Sequence, residues 1–177
     1  YLSEYLESKD ILLSNLIFND LNYYLSLMVV DLLFKDIKYE DLTNIKFQEV
    51  KGRFEIVNDS PVKIIDGAHN YEGVEILLRN YENKYGHLNT DIFLGFKKGK
   101  DINNILNLFI KKTNYNLHLI EDDTFFDQEI TKEIGYLLDK HGKNYKIASL
   151  EQFKKNKNPS ILLGSLYLIG EYKKREL

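Results

Sequence analysis

The stretch Val62-Lys63-Ile64-Ile65-Asp66-Gly67-Ala68-His69-Asn70-Tyr71 decides how the chain is read. Its β-branched run stops at an Asp-Gly pair, and from Tyr71 to Tyr85 the residues Val74, Leu77, Leu78 and Tyr81 recur at helical spacing. A buried strand therefore passes into an amphipathic helix through a short polar turn. The same order returns downstream: strand Asp91 to Phe96 with helix Ile102 to Lys112, then strand Asn116 to Ile120 with helix Phe126 to Lys140. Strands at Tyr145 to Ala148 and Ser160 to Leu163 close the series. This alternation predicts an α/β fold, a Rossmann-like and mostly parallel sheet with helices on both faces. Ligands of such sheets bind in the crevice at the carboxyl ends of the strands.

Upstream the pattern differs. Leu16, Leu21, Tyr24, Leu25, Met28, Val29, Leu32 and Leu33 recur every three or four residues, which predicts a helix from about Phe18 to Phe34, buried along one side. A polar stretch, Lys35 to Asn44, follows it, and then come the short apolar pieces Ile45 to Val50 and Phe54 to Val57, parted by Lys51, Gly52 and Arg53. A hinge is expected at Lys51 to Arg53, dividing the chain into residues 1–50 and 51–177.

Composition narrows the function classes. With 177 residues, 44% hydrophobic and 29% charged, the chain can bury a sizeable core. Its 24 basic and 27 acidic side chains nearly balance, so the excess of Lys and Arg that nucleic acid requires is missing. The absence of Cys removes disulfides, thiol nucleophiles and thiolate metal sites, and suits a reducing compartment, with the cytoplasm expected. The apolar stretch Leu25 to Phe34 is too short to cross a bilayer. Tyr1 stands where an initiator Met is expected, so the chain reads as a piece of something longer. The 13 tyrosines, the abundant Asn, Lys and Ile and the scarce Ala, only Ala68 and Ala148, are assigned to AT-rich coding and carry no functional weight.

Three strand ends hold the residues that can do chemistry. Asp66 at the end of the first strand can accept bonds from two ribose hydroxyls, Gly67 and Ala68 keep bulk away, and His69 faces the same crevice; Asn70 reads as the cap of the following helix. The second loop, Gly95-Phe96-Lys97-Lys98-Gly99-Lys100-Asp101, invites comparison with a phosphate-binding P-loop. It departs from that motif in its glycine spacing and in carrying Asp101 where Ser or Thr is needed. Lys97 and Lys98 read as solvated, and Lys100 as a group able to hold a carboxylate or phosphate. The third end, Gly164-Ser165, offers a tight turn with a hydroxyl and amide donors, or equally a plain helix cap. His87, His118 and His141 lack partners at metal-ligand spacing and read as surface residues, so no metal site is expected.

Taken in order, Gly52-Arg53-Phe54-Glu55, Asp66-Gly67-Ala68-His69-Asn70, Lys100-Asp101 and Gly164-Ser165-Leu166-Tyr167-Leu168-Ile169-Gly170-Glu171 resemble the motifs of the C-terminal part of folylpolyglutamate synthase/dihydrofolate synthase, a branch of the Mur ligase family. The helix near Phe18 to Phe34 resembles the end of that family's central ATP-binding domain. Phe18-Asn19 stands in place of the family's His-Gln pair, and Asn22 matches its later Asn.

The resemblance implies a sheet of the Mur ligase C-terminal domain type. It also implies an ATP-dependent ligase that joins glutamate to a carboxylate of folate or dihydropteroate through an acyl phosphate, with Mg2+ held by residues outside these 177. Asn22, Arg53 and Asp66 would then serve ATP, with Asp66 on the ribose. His69, Lys100 and Ser165 would border the phosphate and glutamate sites, and Arg53 and His69 would stand nearest the chemistry. The resemblance further implies contact with an N-terminal ATPase domain, a monomer, and no activity in this piece alone. Another Mur-type amino-acid ligase, or a non-catalytic nucleotide-binding or interaction module of the same fold, is the alternative.

Overall fold

The computed structural model of the protein describes residues 2–9, 18–34, 50–97, 102–121 and 128–175. The chain divides into two compact units, residues 1–48 and 49–177.

In the first unit, helices α1 (Leu2–Glu7) and α2 (Phe18–Leu33) pack against each other. The expectation of a buried apolar side on α2 is corrected: Leu27 is buried, whereas Leu25, Val29, Leu32 and Leu33 stand exposed. Three- and four-residue spacing identifies a face fit for burial. It does not say which element covers that face.

The second unit is a six-stranded sheet built from β1 (Glu55–Asp59), β2 (Val62–Asp66), β3 (Thr90–Leu94), β4 (Tyr115–Ile120), β5 (Tyr145–Ala148) and β6 (Ser160–Leu163). Its order is β1-β2-β6-β3-β4-β5, with β1 antiparallel to β2 and the other neighbours parallel. The register sets Asp66 beside Leu163 and Leu163 beside Leu94, so β2, β6 and β3 end level with one another. Helices α3 (Tyr71–Tyr85), α4 (Ile102–Ile110), α5 (Gln128–Lys140), α6 (Leu150–Lys155) and α7 (Leu166–Lys174) complete the unit.

Period-two alternation splits each central strand between two cores. Ile64, Ile92, Leu94, Leu117, Ile161 and Leu163 face α3, α4 and α5, where Leu78, Tyr81, Ile105, Phe109 and Ile134 cover them. On the other face Ile65, Phe93, Ile120 and Leu162 meet Phe153 of α6 and Leu168, Ile169 and Tyr172 of α7. The expected mostly parallel sheet with helices on both faces is the architecture observed.

β6, the last strand in chain order, lies between β2 and β3. One feature of the packing differs from the sequence reading. His118, read as a surface residue, stacks on Phe93 at 4.5 Å between ring centroids and stands 3.7 Å from Asp91, with 15% of its side chain exposed. Its position on the α6 and α7 face of β4 carries it inward, because that face is covered.

Candidate functional site at the carboxyl edge of the sheet

Where β2, β6 and β3 end, the backbone itself forms the floor. Gly164 has φ +123°, and a Cβ there would stand 2.4 Å from the Gly95 carbonyl oxygen. A Cβ on Gly67 would stand 2.3 Å from Leu166 Cδ2. Glycine at both positions lets two strand ends and the first turn of α7 close on one another.

Asp66 ends β2 with its carboxylate turned back into the protein. Oδ1 accepts the Ala68 N–H at 2.7 Å and Oδ2 accepts the Phe54 N–H at 2.7 Å. Arg53 Nη1 lies 4.0 Å from Oδ1. Burial raises the Asp66 carboxyl above its ordinary value, against the opposing pull of the two N–H donors and the guanidinium. Each oxygen keeps a second lone pair for a ligand hydroxyl.

The other predicted residues fall around this point. His69 is half-buried, with Nδ1 2.9 Å from the Gly67 carbonyl oxygen, which fixes the ring over the strand end. Asn70 caps α3 by accepting the Gly73 N–H. Ser165 is buried and caps α7, its Oγ accepting the Tyr167 N–H at 3.2 Å. Its hydroxyl proton remains available to point into the crevice. The structure therefore brings Arg53, Asp66, His69 and Ser165 to the ends of two neighbouring strands. Lys100, Asp101 and Lys98 lie outside the described residues. Asn22 lies on α2 in the first unit, and its side chain is outside the described residues.

Lys97 corrects another expectation. Rather than being solvated it is half-buried, with Nζ 3.5 Å from the centre of the Tyr167 ring, so that the loop after β3 is bridged to α7. The two residues stand far apart in the sequence, and neither alone carries a signal of the other.

The loop before β1 is tied down by its own bonds. Gly52 has φ +74°, donates its N–H to Glu55 Oε2 at 2.6 Å and accepts the Gly67 N–H at 2.8 Å. Phe54, a non-glycine residue, is held at φ +43°. Gly52 and Arg53 thus belong to the second unit and are bonded to the strand end.

Among the described residues no group of three His, Asp or Glu is arranged to hold a metal ion. No described helix is long and apolar enough to cross a membrane.

No family model matches the chain. Over 130 residues, 70% of the chain, it is 26% identical to the dihydrofolate synthase/folylpolyglutamate synthase of Bacillus subtilis, of which the match covers 30%. The structure is similar to that of Mycobacterium tuberculosis folylpolyglutamate synthase complexed with ADP and AMPPCP. That likeness has a TM-score of 0.66 at 16% identity and covers 86% of this chain and 38% of the other. It is also similar to the UDP-N-acetylmuramate-alanine ligase of Thermotoga maritima, with a TM-score of 0.59 at 18% identity, over 89% of this chain and 37% of that one. The sheet thus has the Mur ligase C-terminal architecture, and the resemblance carried by the four motifs returns in comparisons of sequence and of structure. The chain spans about a third of the length of the proteins it matches.

Proposed function

We propose that the chain is the C-terminal part of an ATP-dependent ligase that joins glutamate to a carboxylate of folate or dihydropteroate. Residues 1–50 would be the end of its central ATP-binding domain and residues 51–177 its glutamate-ligase domain. The observation that carries this reading is the meeting of Arg53, Asp66, His69 and Ser165 at the strand ends, each within a motif of the family. ATP, as a substrate, supplies the phosphoryl group that activates the carboxylate.

The residues present suit that substrate. Arg53 is held beside Asp66 with 43% of its side chain exposed, so the guanidinium is presented to the crevice while still partly hydrated. A cation fixed in this way favours charge that develops on a transferring phosphoryl group. Asp66 offers its free lone pairs to ribose hydroxyls. The Ser165 hydroxyl and the half-buried His69 imidazole stand where an incoming amino-acid carboxylate and amine could be oriented. Lys100 is assigned to glutamate and Asn22 to ATP on motif position. The described residues do not fit Mg2+, so its ligands are assigned to the rest of the longer protein.

The exposed face of α2, Leu25, Val29, Leu32 and Leu33, supports the reading of the first unit as the end of a larger domain. Because the fold is shared with the UDP-N-acetylmuramate-alanine ligase, a Mur-type ligase acting on another acid is the second reading.

The test is ADP release by the complete protein. Release that requires glutamate together with dihydropteroate or a reduced folate supports the first reading. Release that requires a UDP-linked muramate and another amino acid moves the assignment to the second. No release with either set, from a folded protein, leaves the non-catalytic module.

A further inference from the structure

Arg53 is held by a set of contacts that the motif resemblance leaves without a role. Its two neighbours, Gly52 and Phe54, both have positive φ, at +74° and +43°. A phenylalanine in that region is uncommon and persists only where the surroundings over-determine it. Here they do. The Gly52 N–H goes to Glu55 Oε2 at 2.6 Å, the Arg53 N–H to the Val50 carbonyl at 3.1 Å, and the Phe54 N–H to Asp66 Oδ2 at 2.7 Å. Three consecutive backbone donors are thus occupied, two of them by carboxylates from different strands.

Glu55 is itself gripped. Lys173, in the last turn of α7, donates to Oε1 at 2.7 Å and to Oε2 at 2.6 Å. Burial alone would raise the Glu55 carboxyl, but the Lys173 ammonium and the Gly52 N–H hold it below its ordinary value. The same helix presses on the loop: a Cβ on Gly52 would meet Ile169 Cγ2 at 3.2 Å and Leu166 Cδ2 at 3.5 Å. One helix therefore supplies Ser165 at its start, the packing over Gly52 in its middle and the Glu55 counter-ion at its end.

We infer that Glu55 and Lys173 are positioning residues, a charged clamp through which α7 fixes the backbone on either side of Arg53 and so sets where the guanidinium is presented. This rests on the phosphate role proposed for Arg53. An ion pair of two partly exposed side chains contributes little to stability by itself. Its place is explained by what hangs on it, since one carboxylate orients the loop amide and the ammonium orients the carboxylate. A loose loop would let the guanidinium wander, and misplacement of about 1 Å at a reacting centre costs on the order of a hundred-fold in rate.

The experiment uses Glu55→Gln, Lys173→Met, Lys173→Arg and Arg53→Ala in the complete protein, with two readouts. Hydrogen exchange over residues 50–57, followed by mass spectrometry, reports the loop, and exchange over β3 and β4 reports the fold. Turnover with all substrates saturating reports the presentation of Arg53. The clamp predicts that Lys173→Met and Glu55→Gln speed exchange at 50–57 by about ten-fold or more while β3 and β4 stay protected. Both should also lower kcat about ten- to hundred-fold with little change in the KM for glutamate, and Lys173→Arg should restore both readouts. Unchanged exchange at 50–57 overturns the clamp. So does a loosened loop with normal kcat in a protein whose Arg53→Ala variant is impaired. If Arg53→Ala itself turns over normally, the phosphate role of Arg53 falls, and the exchange data then judge the clamp separately.

Discussion

At the amino edge of the sheet Asp91 is enclosed by amides. Oδ1 accepts from Asn116 at 2.9 Å, Oδ2 accepts from Asn156 and Asn158 at 3.0 Å each, and His118 closes the remaining side. At the carboxyl edge Asp66 accepts, among the described residues, only from backbone amides, its one charged neighbour among them is 4.0 Å away, and the loop around it holds two residues at positive φ. Both carboxylates are buried, and burial pushes both upward. For Asp91 the three amide donors and His118 outweigh burial and hold the carboxyl below its ordinary value, whereas for Asp66 burial prevails over its partners. The first arrangement ties β3, β4 and the connection before β6 together. The second leaves acceptor capacity and a half-exposed cation facing outward. A cleft of about 470 Å³ opens at the amino edge, lined by Asp91, Asn116, His118, Lys143, Lys146 and Asn158 among others. Concavity alone would favour that edge, but its carboxylate is already satisfied, and parallel sheets bind ligands at the other.

This contrast places the largest effect at the crowded carboxyl edge. Gly164→Ala should destabilise the second unit by about 3 kcal/mol or more, since a backbone carbonyl cannot move aside and φ +123° disfavours any side chain. A urea midpoint close to that of the parent would show that the strand ends are not so tightly closed.

Arg53→Ala should behave in the opposite way. Stability should change by less than about 0.5 kcal/mol, because the side chain is 43% exposed and its ion pair is long. In the complete protein the maximal rate of the proposed ligase reaction should fall by about a hundred-fold, or roughly 2.7 kcal/mol. Equal losses in both measurements would make Arg53 structural.

Asp91→Ala should cost about 2 kcal/mol of stability, taking an acceptor from Asn156 and Asn158 and leaving Asn116 with Asn89, and should not alter the KM for ATP in the proposed reaction. Thermal melts joined to steady-state kinetics check this, and a selective rise in that KM would bring the amino edge into the site.

The smallest effect concerns pH. Burial lowers His118 below its ordinary 6.5, only partly offset by Asp91. A histidine whose folded value is depressed contributes stability above its unfolded value, and that contribution is lost as pH falls through the folded one. Stability should therefore begin to decline below about pH 6.5, before the lowered carboxylates Glu55, Glu82 and Asp91 add their own loss below their ordinary 4.5 and 3.8. In His118→Gln the first decline should vanish and the second remain, as denaturant midpoints measured across pH would show.

Much of the second unit is legible in the sequence. The bounds of β2, α3, β5 and β6 coincide with their reading, because local preferences cut the apolar runs off: Asp66-Gly67 ends β2, Asn70 opens α3 and Gly86 follows it. What is not legible depends on distant partners. A short apolar run looks alike whether central or peripheral, so nothing local says that Ser160–Leu163 enters between β2 and β3. The bridge of Lys97 to Tyr167 and the grip of Lys173 on Glu55 link residues far apart in the chain. The short helix α6 does carry a local signal that apolar periodicity passes over, since Ser149 and Gln152 form a reciprocal cap at its start.

The insertion of β6 also has a consequence for synthesis. Its two neighbours, β2 and β3, are complete by Leu94, and the edge that each turns toward β6 stays unpaired until residues 160–163 leave the ribosome. Throughout that interval the middle of the nascent sheet is an open slot, ready to accept a strand from a neighbouring chain. Release of the chain before residue 160 would leave the slot permanently open, so the last strand made also protects the newborn protein from aggregation.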